Sequence, residues 1–69
     1  MKMNFTIDGE YIELIQLLKA IGMAQTGGHA KMIVEDEVVF VNNELELRKR
    51  AKLRKGDVVV IEDHEVILD

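Results

Sequence analysis

The stretch Ala30-Lys31-Met32-Ile33-Val34-Glu35-Asp36-Glu37-Val38-Val39-Phe40-Val41-Asn42-Asn43 is where the chain changes period. Before Asp36, the residues Ala30, Ile33 and Val34 recur at the three-and-four spacing of a helix with one buried face. After Asp36, Val38 to Val41 is a β-branched and aromatic run that reads as strand. Asn42-Asn43 then makes a tight turn, because asparagine tolerates positive φ. A helical half and a sheet half meet here, and that sets the class as α+β.

Working back from this point, Thr26 is the expected cap of the second helix, which spans about Gly27 to Glu35. Gly27 and Gly28 in its first turn each cost about 1 kcal/mol against alanine, so something other than helix stability must justify them. An earlier helix is expected from Glu10 to Ile21, burying Leu14, Ile15, Leu18 and Ile21, with Ile12 and Leu17 beside them. Glu10 and Glu13 fall in its first turns and Lys19 near its end, as the macrodipole prefers, and Gly22 supplies a left-handed stop. A link of about four residues makes the pair a tight helix–turn–helix hairpin. Upstream, Phe5 and Ile7 alternate with Asn4 and Thr6, so Met3 to Ile7 reads as a strand ended by Asp8-Gly9.

Working forward, Glu44 to Arg48 alternates with Leu45 and Leu47 inward, and Lys55-Gly56-Asp57 is a second turn. Val58–Glu62 and Val66–Leu68 close a last hairpin around Asp63-His64-Glu65, with His64 a solvated turn residue. Phe5 and Phe40 are expected in the core. The expected architecture is a two-helix hairpin packed on a small, mostly antiparallel sheet of about five short strands. A chain of 69 residues has room for one domain, residues 1–69, with a small core. With no cysteine, neither a disulfide nor a cysteine-type zinc site can hold it together, so apolar packing must.

The charge pattern is uneven. Arg48-Lys49-Arg50-Ala51-Lys52-Leu53-Arg54-Lys55 carries six of the nine Lys and Arg residues of a chain whose formal net charge is −4. If the chain stays extended past Leu45, Arg48, Arg50, Lys52 and Arg54 share one face, while Leu47, Ala51 and Leu53 anchor the other. Lys49 interrupts the apolar row, so a bulge or loop is expected there. Cations two strand residues apart, about 7 Å, can follow a phosphate backbone and release its condensed counterions. The plainer alternative is an edge strand guarded by charge. Thr26-Gly27-Gly28-His29-Ala30-Lys31 is the second candidate. Glycines and unpaired amides at a helix start suit a phosphate, although the same glycines would also allow close helix–helix packing.

Chemistry has little to work with. The chain has neither serine nor cysteine, and its two histidines, His29 and His64, have no ligand-like spacing. No enzyme, metal site, cofactor or small-molecule substrate is expected. Aromatic residues are few (Phe5, Tyr11 and Phe40), which suits reading phosphates and folded shape better than stacking single-stranded bases. The start of the chain carries no secretory signal and no apolar run long enough for a bilayer, so a cytoplasmic protein with no membrane partner is expected.

The order helix, tight turn, T-G-G-H-A-K, V-V-F-V-N-N, basic run, L-R-K-G-D-V-V-V-I resembles the S-four-like RNA-binding domain, whose core is the alpha-L motif. It is similar to small stand-alone bacterial proteins of the YaaA/YbcJ type, from about Phe5 to Leu68. The resemblance implies a non-catalytic module that binds structured RNA, ribosomal or transfer, through phosphate backbone and shape. The implied setting is translation, with the ribosome or its assembly proteins as companions and the domain acting as a monomer. By position, the implied RNA-binding residues are Thr26, Gly28, His29 and Lys31, with Arg48, Lys49, Arg50 and Lys52; Arg54 and Lys55 complete the basic run. Val41, Asn42, Leu53, Gly56 and Asp57 match positions that shape the fold. The chain departs from the family pattern at Asn43, where glycine or aspartate is usual, and in its net acidity. Two other functions remain open on sequence: an adaptor whose basic segment docks an acidic protein surface, and a DNA binder.

Overall fold

A computed structural model describes all of residues 1–69. The elements in order are β1 (Lys2–Phe5), β2 (Ile12–Glu13), α1 (Leu14–Ala20), α2 (Gly27–Glu35), β3 (Val39–Val41), β4 (Glu44–Leu45), β5 (Lys52–Leu53), β6 (Val58–Ile61) and β7 (His64–Leu68). Five strands form one sheet in the order β1-β7-β6-β3-β4, while β2 and β5 pair separately. Only β1 and β7 run parallel; the other pairs are antiparallel. The α+β expectation of a helix pair on a mostly antiparallel sheet is met.

The two helices pack on one another and close a core of 14 buried residues, all apolar. Leu14, Leu17 and Leu18 of α1, Ala30 and Val34 of α2, and Val39, Val59, Ile61, Val66 and Leu68 of the sheet make most of it. α2 begins and ends where expected, and the Thr26 hydroxyl accepts from the His29 amide at 3.0 Å. α1 stops as the glycine predicted. Gly22 has φ +84, the Met23 amide donates to the Leu18 carbonyl at 3.0 Å, and the Gly22 amide donates to that of Lys19 at 3.1 Å. These two bonds make a Schellman ending.

Five expectations change. α1 starts at Leu14 rather than Glu10, because Ile12 and Glu13 are drawn out to pair with Leu53 and Lys52. β4 ends at Leu45, and residues 46–51 form a loop, so neither a strand through Arg48 nor one continuous extended row of cations exists. Leu47 points outward at 58% exposure, leaving Ala51 and Leu53 as the buried footing, and Leu45 is exposed too. Phe40 is 39% exposed: a three-residue strand that turns Val39 inward must turn its neighbour out. The last hairpin turns on Glu62-Asp63, and His64 is the half-buried first residue of β7, paired with Ile61.

The two turns beside the basic segment are tied together. Asn42 and Asn43 have φ of 52° and 71°, the signature of a type I′ hairpin turn. The Asn42 side chain accepts from the Val58 amide at 2.9 Å and donates to Asp57 Oδ1 at 3.1 Å. The other oxygen of Asp57 accepts from the Arg54 amide at 2.8 Å, closing the turn through Gly56. One asparagine thus locks the β3–β4 turn to the turn that carries Arg54 and Lys55. Asn42→Ala is expected to lower the unfolding free energy by about 1–2 kcal/mol in urea titrations. Asn43→Gly should leave it unchanged or raise it. Equal losses from the two substitutions would contradict this account.

Candidate nucleic-acid interface

The loop of residues 46–51 is built onto the start of α1. The first amides of a helix have no partner within it. Here Leu14 N–H donates to the Ala51 carbonyl at 2.9 Å, and Ile15 N–H donates to that of Lys49 at 3.1 Å. Gln16 Oε1 accepts from the Glu13 amide at 3.2 Å, closing the same end. At the loop's other end, Glu46 N–H donates to the Val39 carbonyl at 2.8 Å, and within the loop Ala51 N–H donates to the Arg48 carbonyl at 3.1 Å. With the backbone fixed at both ends and Ala51 and Leu53 buried, the side chains of Arg48, Lys49, Arg50, Lys52 and Arg54 are all left exposed.

This arrangement brings part of the helix candidate and part of the basic run together. Lys31 and Val34 of α2 share a groove with Leu47, Arg48, Lys49 and Arg50, with Glu35 its only acid. A second groove, continuous through Arg48 and Arg50, is lined also by Ala51, Lys52 and Arg54 and contains no acid. A third lies between the β3–β4 turn and β5. There Glu44, Glu46 and Asp57 outnumber Arg48 and Lys52, so it is a poor place for an anion. The cations thus form an arc from Lys31 to Arg54. Lys55 stands exposed in its turn and lines none of the grooves.

Thr26, Gly28 and His29 sit at the start of α2, outside these grooves but on the same helix as Lys31. Gly28 and Lys31, three residues apart, are neighbours on its surface. The Thr26 hydroxyl is occupied as a cap acceptor, and His29 Nδ1 accepts from the Gln25 amide at 3.4 Å. That leaves the Gly27 and Gly28 amides at positions with no intrahelical acceptor. Neither glycine is needed for packing: a Cβ at Gly27 would meet nothing within 4 Å, and one at Gly28 would meet only the Thr26 hydroxyl at 3.9 Å. Neither has a positive φ. The helix-packing alternative therefore falls away.

Two residues of this surface escaped the sequence reading. Glu46 holds Arg48: its carboxylate accepts from Nε at 3.0 Å, from Nη2 at 3.2 Å and from the Arg48 amide at 3.0 Å. The signal was present, because alternation already set Glu46 and Arg48 on one face. Of the six cations in the run, only Arg48 is ion-paired. Tyr11 is the other. It is 41% exposed, with Lys52 Nζ 5.0 Å and Arg54 Cζ 5.8 Å from its ring centroid. No sequence signal announces it, since the β2–β5 pairing joins segments some forty residues apart.

Fold and surface together define a class: a small α+β domain, acidic overall, that concentrates its positive charge in one arc beside a helix start. The chain belongs to the S4 domain family, whose model matches residues 5–68. Among its relatives is the "Probable ribosome maturation protein RlbA" of Bacillus subtilis, 46% identical over 57 residues, covering 83% of this chain and 80% of that protein. Another is the "Putative RNA-binding protein YbcJ" of Escherichia coli, 36% identical over 56 residues, covering 81% of this chain and 80% of that protein.

Hydrogen bonds from Arg48 hold the Glu46 carboxyl below its ordinary value of 4.5, against a smaller opposing effect of burial. A lowered folded-state value means that the ion pair's contribution is complete above the ordinary value and is lost as pH falls through the lowered one. A titration of the Glu46 carboxyl followed by NMR is expected to give a midpoint below 4.5, returning toward it in Arg48→Ala. The same midpoint in both proteins would show that Arg48 does not hold this carboxyl.

Proposed function

We propose that this domain binds structured RNA, most of all ribosomal RNA, through phosphate backbone and shape, without chemistry of its own. The observation that carries this reading is the arc of Lys31, Arg48, Lys49, Arg50, Lys52 and Arg54, assembled from two segments on a protein of net charge −4. A chain that is acidic elsewhere offers a polyanion one acceptable approach. The name of the Bacillus subtilis relative, with ribosome maturation in it, favours ribosomal over transfer RNA. The Escherichia coli relative's name carries RNA binding itself.

In this reading, Lys49, Arg50, Lys52 and Arg54 contact successive phosphates, and Lys31 reaches the neighbouring strand across the groove that it shares with Arg50. The Gly27 and Gly28 amides and the His29 ring face a phosphate at the start of α2, which accounts for glycines that the fold does not need. Thr26 keeps that helix start in shape, and Lys55 adds charge at the rim. Arg48 is held in reserve by Glu46, so a phosphate takes it only by displacing a carboxylate.

The test is RNA recovered by crosslinking from cells with the tagged protein and sequenced, backed by filter binding to ribosomal RNA and transfer RNA separately. Ribosomal RNA is expected to dominate the recovered species. Contact with about four phosphates gives a slope of about −3 to −4 in log affinity against log salt. Arg50→Glu with Lys52→Glu should cost at least about tenfold in affinity while leaving the thermal melt unchanged, since both side chains are exposed. Gly28→Ala should hold or raise stability, by up to about 1 kcal/mol, and still weaken binding. Recovery of proteins but no RNA would transfer the arc to an acidic protein partner.

A further inference from the structure

We propose that Tyr11 is the stacking platform for one unpaired nucleobase, with Lys52 and Arg54 taking the phosphates on either side of it. This rests on the RNA-binding reading and adds to it a preference for RNA helices interrupted by an unpaired nucleotide.

The placement follows from register. Ile12 pairs with Leu53 and Glu13 with Lys52 in an antiparallel ladder. Ile12 and Leu53 turn toward the core, so the residues flanking them, Tyr11, Glu13, Lys52 and Arg54, turn the other way. An aromatic ring, an ammonium and a guanidinium thus share one outward face at the end of the cationic arc. Glu13, opposite Lys52, makes no ion pair with it; the ammonium lies 5.0 Å from the Tyr11 centroid instead. Arg54 lies 5.8 Å from the same ring and also lines the acid-free groove with Lys52, Arg50 and Arg48.

A phenol ring 41% exposed and bracketed by two cations is the combination that single-stranded binding surfaces use: a π-face for the base and fixed charge for its phosphates. The flexible stem of Lys52 lets its ammonium move from the ring to a phosphate when a base takes its place. Only one ring is present, so the site holds one base and not a strand. Phe40 is not part of it, lying on β3 of the larger sheet. A base-paired nucleotide cannot offer its face to a side chain, whereas a bulged one can.

The experiment uses the whole protein and three fluorescein-labelled RNAs: a blunt duplex, the same duplex with one unpaired adenosine, and the same duplex with an abasic residue at that position. The chain has one tyrosine and no tryptophan, so tyrosine emission reports on Tyr11 alone. The adenosine-bulged duplex is expected to quench that emission and to bind about five- to a hundredfold tighter than the blunt and abasic duplexes, the range expected for one stacked base. Tyr11→Leu should erase this preference while leaving blunt-duplex affinity within about twofold, and Tyr11→Phe should retain it. Equal binding and equal emission with all three RNAs would overturn the platform and leave the RNA reading standing. So would a Tyr11→Leu that weakens all three alike, because it would show that the ring merely braces Lys52 and Arg54. Binding to none of them would overturn the RNA reading, and the platform with it.

Discussion

The contact on which the rest depends is made by two peptide carbonyls. Those of Lys49 and Ala51 accept the first amides of α1, at 3.1 and 2.9 Å. Seven residues are too few for a helix to persist in water unaided, and its opening amides would otherwise lie without partners beside the core. The basic loop supplies these partners, and in return its backbone is held in one place. The fixed loop then gives Ala51 and Leu53 a seat in the core and turns the intervening cations outward. Folding and the shaping of the charged face are therefore one event.

Charge is distributed to the same end. The arc carries the protein's highest density of positive charge, while Glu46 restrains Arg48 through three hydrogen bonds. A partner with a single phosphate gains little by displacing that carboxylate, whereas one with many phosphates in register gains from the whole arc. At the start of α2, two glycines where a Cβ would meet at most the Thr26 hydroxyl, at 3.9 Å, weaken the helix without serving the fold. Features of this kind, unfavourable locally and unexplained by packing, are expected at binding surfaces.

The parts of the fold that could be read in the sequence were those set by local rules. α2 followed from Thr26 and the spacing of Ala30, Ile33 and Val34; the end of α1 from Gly22; the hairpin turn from Asn42-Asn43. The parts that could not be read were decided by partners distant along the chain. Ile12 fits a helical stripe by spacing, yet it is pulled into a strand by Leu53. Leu47 continues an alternation that stops once the loop docks on α1. Phe40 looks like core by composition and is outward by register. The candidate surface was legible as a pair of companion segments, but the groove in which Lys31 meets Arg50 was not, and neither was Tyr11. Glu46 was legible as a neighbour of Arg48 and became meaningful only when its carboxylate was seen bound there.

The central claim is that one face, built jointly from the loop docked on α1 and the start of α2, receives RNA. The most direct measurement is an NMR titration of the labelled domain with ribosomal RNA fragments, following every backbone amide. The account predicts shifts concentrated in residues 26–31 and 48–55, extending to Tyr11, with the Glu62-Asp63 turn unmoved. Shifts centred instead on Phe40, Leu45 and Val60 of the outer sheet face, or none at saturating RNA, would contradict it.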